Sequence, residues 1–242
     1  VKHVYVNGEF AGEHAGAFTA FCFEITDYVT PGETALIAIR VDNSQHPRRS
    51  TRELDLESGR KTLDIMPLRG DFNLYGGIYR DIELVMKPAL CISPTDFASP
   101  GVYVSTPEVS RQEARVRVET VLSVADGVSG PARLTAVLRD ADRRVVAETE
   151  RHRLRPREGA REAMERLVDS PRLWHGMEDP YLYSLEVSLT EEGSGVVDTV
   201  SETIGIRTIT FDPERGFVLN GEVIRIRGVN RHQDWQDRGW AI

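Results

Sequence analysis

Two stretches gather side chains able to hold a polar ligand. In "GVNRHQD" the residues Asn230, Arg231, His232, Gln233 and Asp234 follow an apolar-alternating segment near the end of the 242 residues. A strand ending in this way presents its tip side chains to a ligand, as at the carboxyl ends of strands in a β/α barrel. His232 could exchange a hydrogen bond with a substrate hydroxyl at neutral pH there. The plainer reading is a surface turn in which Asp234 caps the following segment and His232 is solvated. In "RGDFNLYGGIYRD", Asp71 and Asn73 precede Tyr75 and two glycines. Carboxylates and amides beside an aromatic ring suit a sugar, whose vicinal hydroxyls need paired donors and acceptors while its apolar face stacks on the ring. Asp71 as an ordinary turn residue is the alternative, and both readings stand open. Arg80 and Asp81 are adjacent on a strand pattern and so point to opposite faces, which makes them structural. Trp174, Tyr181 and Tyr183 read as packing and take no site.

Composition narrows the function classes. Hydrophobic residues are 40% and charged residues 28% of the chain, and no apolar run approaches the ~20 residues of a membrane helix, so a membrane role is not expected. The net charge of −8 and pI near 5.4 argue against a nucleic-acid surface, which needs clustered Lys and Arg in excess. The local run "HPRRSTR" reads as solvated loop. Cys22 and Cys91 sit in no metal-ligand spacing, so neither a zinc site nor a disulfide framework is expected. The chain opens on "VKHVYVNGEF" with no initiator Met and no signal-like n- and h-regions, which reads as a piece of a longer protein and leaves its localisation unknown.

The elements that must position these clusters read almost wholly as strands. Asn7-Gly8 between apolar flanks predicts a tight hairpin. "AFTAFCFEI" puts Phe21 and Phe23 on one face, "TALIAIRV" gives another strand, and "TDYVTPGE" turns between them. From about His46 to Gly70 periodicity is lost in a charged stretch long enough to suggest a functional loop, and "GGIYRDIELVMKP" then reads as a clear strand ending at Pro88. A second set begins after "KPALCISPTDF". "EARVRVETVLSV" alternates strictly, with Ala114, Val116, Val118 and Leu122 on one face. "ARLTAVLRD" and "RRVVAETE" form a hairpin across "DADR", and "AREAMERLV" reads as a strand paired with "PYLYSLEVSL". About seven short strands with turns between them suit an immunoglobulin-like sandwich. In the tail, a hairpin about Asn220-Gly221 leads into a strand over Val223–Val229.

The ordered segments "VYVNGEFAGEHAGAFTAFCFEIT", "DFNLYGGIYRDIEL", "LWHGMEDPYLYSLEV", "IGIRTI", "FVLNGEVIRIRGVNRHQD" and "GWAI" resemble family 2 glycoside hydrolases, the β-galactosidase, β-glucuronidase and β-mannosidase group. The resemblance implies an all-β chain: a jelly-roll-like sugar-binding β-sandwich over 1–88, lacking its first strands, and an immunoglobulin-like β-sandwich over 89–208. Over 209–242 it implies the start of a (β/α)8 barrel with its first strand. It also implies that Asp71 and His232 reach the glycone, with Asn230 and Asp234 in the same motif in less defined roles. The family's retaining mechanism uses two Glu residues about 5 Å apart. Both belong to motifs that this sequence does not contain, so the chain by itself has no catalytic residue and is expected to be inactive. The implied partner is a β-glycoside, most similar by "GVNRHQD" to β-galactosides. In some members the equivalent of Asp71 also touches a sodium ion, but nothing else in this chain supports a metal, and no cofactor is expected. A non-catalytic carbohydrate-binding or adhesion protein of two sandwich domains is the alternative, and homo-oligomer formation stays open.

Overall fold

The computed structural model describes residues 1–16, 19–42, 76–128 and 130–231, with the backbone of 234–235 and 239–240. It is all-β and divides into two compact units, Val1–Leu84 with Val229–Ile242, and Val85–Gly228.

In the first unit, β1 (Lys2–Val6) and β2 (Glu9–His14) form an antiparallel hairpin with Val6 opposite Glu9. Asn7 and Gly8 make its turn at φ +52° and +89°, a conformation that Asn and Gly adopt at low cost. β3 (Ile37–Val41) pairs with the other side of β1, and alternation along β1 buries Val4 and Val6. The expected strand at "AFTAFCFEI" is not formed: residues 21–25 carry no ladder and lead into a single 3₁₀ turn, Thr26–Tyr28. Its rings pack down on the hairpin instead. Phe21 stacks on His14 at 4.8 Å and lies 5.5 Å from Phe23. The Phe23 ring occupies the space above Gly12, where a Cβ would come within 2.6 Å of it.

The second unit is a two-sheet sandwich. One sheet contains β4 (Leu90–Ile92), β5 (Val102–Val109), β6 (Glu113–Val124) and β9 (Arg161–Asp169). The other has the order β11-β10-β7-β8, from β7 (Ala132–Arg139), β8 (Val145–Leu154), β10 (Tyr183–Glu191) and β11 (Gly195–Ile204). Alternation places Ala114, Val116, Val118 and Leu122 of β6 against Leu134, Ala136 and Leu138 of β7 and Leu185, Val187 and Leu189 of β10 in one core. The expected strand at "AREAMERLV" is present as β9, but it pairs with β6, not with "PYLYSLEVSL". That segment is β10, flanked by β7 and β11 in the facing sheet. Two strands with similar alternation fit either sheet, and the sequence pattern carries no information on which partner is taken.

On the solvent face of the first sheet the outward residues form a continuous ion-pair ladder. Glu108 meets Arg115 at 3.2 Å, Arg115 meets Glu165 at 3.7 Å, and Glu165 meets Arg117 at 2.9 Å. Arg117 meets Glu119 at 3.8 Å, Glu119 meets Arg161 at 3.0 Å, and Arg161 meets Asp96 at 2.9 Å. The opposite face of β6 contributes Thr120, fully buried, whose hydroxyl finds no hydrogen-bond partner among the described residues.

A small sheet follows, β12 (Ile209–Asp212), β13 (Gly216–Leu219) and β14 (Glu222–Val223), with the expected hairpin about Asn220-Gly221 at φ +51° and +84°. Two expected strands are corrected here. "GGIYRDIELVMKP" and the segment after Val223 alternate in sequence, yet residues 76–88 and 224–231 form no strand. A strand needs a partner's N–H and C=O groups as well as an apolar face, and among the described residues the one backbone bond to a neighbouring strand that either segment makes is from the Ile224 N–H to the Phe217 carbonyl at 3.0 Å. Ile82, Leu84, Ile226 and Val229 are correspondingly exposed.

Candidate functional site

Of the four residues expected to meet a sugar, Asp71 and His232 lie outside the described residues. Asn230 is exposed on the unpaired segment. Asp234 opens β15 (Asp234–Trp235), whose backbone pairs with β16 (Gly239–Trp240), Asp234 opposite Trp240. The structure therefore describes the backbone at Asn230 and Asp234 alone among these four. Arg80 and Asp81, read as structural, are exposed on a segment without a ladder. Among the described residues no group of three His, Cys, Asp or Glu side chains could hold a metal ion.

What the structure does resolve is the device that anchors the hairpin leading to this cluster. Asn220 sits at the turn, and its side-chain amide is fully engaged: Oδ1 accepts from the Thr208 N–H at 2.9 Å, and Nδ2 donates to the Trp174 carbonyl at 3.0 Å. These backbone partners fix the amide's orientation, because one requires an acceptor and the other a donor. Nδ2 also faces His175 Nδ1 at 3.3 Å, where the second amide hydrogen meets the ring nitrogen as an acceptor. His175 Nε2 faces Glu222 at 3.5 Å and Glu178 at 3.9 Å. Glu222 is shared with Arg111 at 3.5 Å.

The loop carrying His175 is itself braced. Its backbone N–H donates to the Asp179 carbonyl at 2.7 Å. Arg172 holds the Asp179 carboxylate with two bonds of 2.9 Å and lies over the Tyr181 ring at 4.5 Å. Tyr183, T-shaped against Tyr181 at 5.0 Å, accepts the Arg172 backbone N–H at 2.8 Å. Burial raises the Tyr183 phenol's pKa above its ordinary value, so it serves as a neutral packing and hydrogen-bonding group. Trp174 packs over Gly205, where a Cβ would come within 2.8 Å of it, and Arg207 covers its ring at 5.1 Å. The reading of the aromatic tract as packing holds. The role of His175 escapes sequence reasoning because its partner lies 45 residues away, and no spacing connects them.

Both matched family models fall on these units. Residues 1–88 match the sugar binding domain of glycosyl hydrolases family 2, and residues 101–207 match a second model of glycosyl hydrolases family 2. Together they account for most of the chain, which belongs to this family. The chain is 39% identical to a β-glucuronidase of Bacteroides fragilis, over 100% of this chain and 32% of that protein. It is 32% identical to a β-galactosidase of Thermoanaerobacter pseudethanolicus, over 100% of this chain and 29% of that one. Among solved structures, a Bacteroides uniformis β-glucuronidase superposes with a TM-score of 0.82 at 29% identity, covering 100% of this chain and 27% of that chain. The chain thus spans about a third or less of the length of these relatives.

Proposed function

We propose that this chain is the sugar-binding and supporting portion of a glycoside hydrolase that releases terminal β-linked sugars with retention of configuration. The observation that carries the reading is the ordered match of two models of one family, to 1–88 and to 101–207. In this reading 1–88 contributes Asp71 to the glycone pocket, 89–208 is the supporting sandwich, and 209–242 opens a (β/α)8 barrel. The segment after Val223, which forms no strand here, would pair as the first barrel strand in the longer protein and carry Asn230, His232 and Asp234 toward the sugar. Two carboxylates about 5 Å apart perform the chemistry, and both come from sequence beyond these residues. The Asn220 clamp then holds the hairpin from which that strand departs.

β-Galactosides are the substrate that "GVNRHQD" favours. The 39% identity to a β-glucuronidase favours β-glucuronides as the second reading. The longer gene product assayed on nitrophenyl β-galactoside and β-glucuronide separates them, while the isolated chain turns over neither. His232→Ala in the longer protein lowers kcat/KM about 100-fold with little change in stability, and Asp71→Ala mainly weakens glycone binding through loss of a charge-assisted hydrogen bond. If His232→Ala keeps near-native kcat/KM, "GVNRHQD" is only a strand-end turn. A longer gene product with no glycosidase activity would favour a non-catalytic carbohydrate-binding protein.

A further inference from the structure

Among the described residues three turns place two successive residues at positive φ. Two of them use Asn-Gly, the pair best suited to that conformation. The third, Asp96–Ser99, is closed by the Ser99 N–H on the Asp96 carbonyl at 3.1 Å and uses Phe97 and Ala98 at φ +54° and +50°. Side chains with a Cβ adopt this region at a cost, so neither residue is there to favour the turn. Phe97 does not recover that cost by burial, since it is 85% exposed.

The loop is nevertheless held firmly. The Asp96 carboxylate receives two bonds of 2.9 Å from Arg161 and one of 2.5 Å from the Tyr103 hydroxyl. Ser99 Oγ donates to the Asp96 carbonyl at 2.7 Å. Behind it Gly101 lies so close to Ser93 that a Cβ would come within 2.4 Å of the Ser93 carbonyl oxygen. An unfavourable backbone, a rigid brace and an unburied aromatic ring occur at one place, and observed strain of this kind points to function.

We propose that Phe97 is a ligand-contact residue whose ring stacks on the C–H face of a pyranose. This rests on the carbohydrate reading above. A sugar suits the site better than a protein, because a stable protein interface needs about 800 Å² from each partner. One aromatic ring supplies at most about 250 Å², and the rest of the loop, Ser-Pro-Thr-Asp before it and Ala-Ser-Pro after it, is small or polar. A backbone already braced also loses little conformational freedom when a ligand binds.

The test is amide NMR of the 242-residue chain titrated with lactose, cellobiose and methyl β-glucuronide, using the native protein, Phe97→Gly and Phe97→Trp. At least one sugar shifts amides within 95–101. Phe97→Gly weakens that binding about tenfold or more while raising Tm by about 2 °C, because glycine relieves the backbone, and Phe97→Trp retains binding. The proposal is overturned if no sugar shifts 95–101, if Phe97→Gly binds as the native chain does, or if its Tm falls, which would make the ring structural. It is also overturned if the same amides shift with protein concentration alone, which would mark a self-association surface. Shifts confined to 1–42 would overturn the Phe97 site while supporting the carbohydrate reading, and glycosidase activity of the longer gene product is scored separately from both.

Discussion

The turns at Asn7-Gly8 and Asn220-Gly221 lie in different units and use one design. In each, the asparagine backbone N–H donates to a carbonyl, of Leu36 at 2.8 Å and of Thr208 at 3.0 Å. Its Oδ1 accepts the N–H of that same residue at 2.9 Å in both cases. Its Nδ2 reaches a second carbonyl, of Tyr28 at 2.8 Å and of Trp174 at 3.0 Å. The difference is surroundings. The Asn7 bonds are exposed, whereas those of Asn220 are partly buried and joined by His175. A hydrogen bond is worth little where water can replace it and much where its loss leaves a shielded group unpaired. The same clamp therefore serves as a local turn in one unit and as an anchor in the other.

This comparison breaks first if the two asparagines are equally replaceable. Asn220→Ala is expected to cost about 3 kcal/mol, and Asn7→Ala about 1 kcal/mol, because only the former strands a partly buried N–H and C=O. Denaturant unfolding of both variants checks the order, and equal losses would show that burial does not distinguish the clamps. A sharper version removes the side-chain difference. Gly8→Ala and Gly221→Ala should each cost about 1 kcal/mol, since both glycines have positive φ and open space around them. A large gap between those two would mean that the backbones differ after all.

The converse experiment concerns a polar group with no clamp. Thr120→Val removes a buried hydroxyl without a partner among the described residues and should stabilise the sandwich by about 1 kcal/mol, read as a higher denaturation midpoint. The smallest effect belongs to Glu24, next to the Asn7 unit's 3₁₀ turn. The Thr26 hydroxyl, and after it the Thr26 N–H, hold its carboxyl below the usual range. The stabilisation from that depressed pKa is present above the unfolded-state value and is lost as pH falls through the folded one. Melting curves of Glu24→Gln and the native chain should differ at neutral pH and converge in acid.

The asparagine-glycine turns were legible in sequence because their residue types answer a backbone requirement directly. The strands of the sandwich were legible because β6 and β7 alternate and bury one face. Pairing was not. Alternation marks β9 as a strand but does not identify β6 as its neighbour, and 78–86 and 224–229 carry the alternation of strands without forming one. Alternation states that a segment has an apolar face, while a ladder depends on which other segment lies alongside. The candidate sugar residues were legible only through resemblance, since a polar cluster at a strand end is equally a solvated turn. The turn at Phe97 gave no signal at all, because Phe-Ala does not advertise positive φ.

The ion-pair ladder across β5, β6 and β9 bears on how the chain meets its surroundings. Four carboxylates and three guanidinium groups neutralise one another almost completely there, although the chain carries a net charge of −8. Seen from beyond the Debye length of about 8 Å, that sheet face is nearly silent: it neither draws in cations nor repels anions, and its field closes on itself within a few ångströms. The chain's surplus negative charge is therefore broadcast from its other surfaces, and encounters with charged molecules will be biased toward or away from those surfaces, leaving this one as an electrically quiet wall.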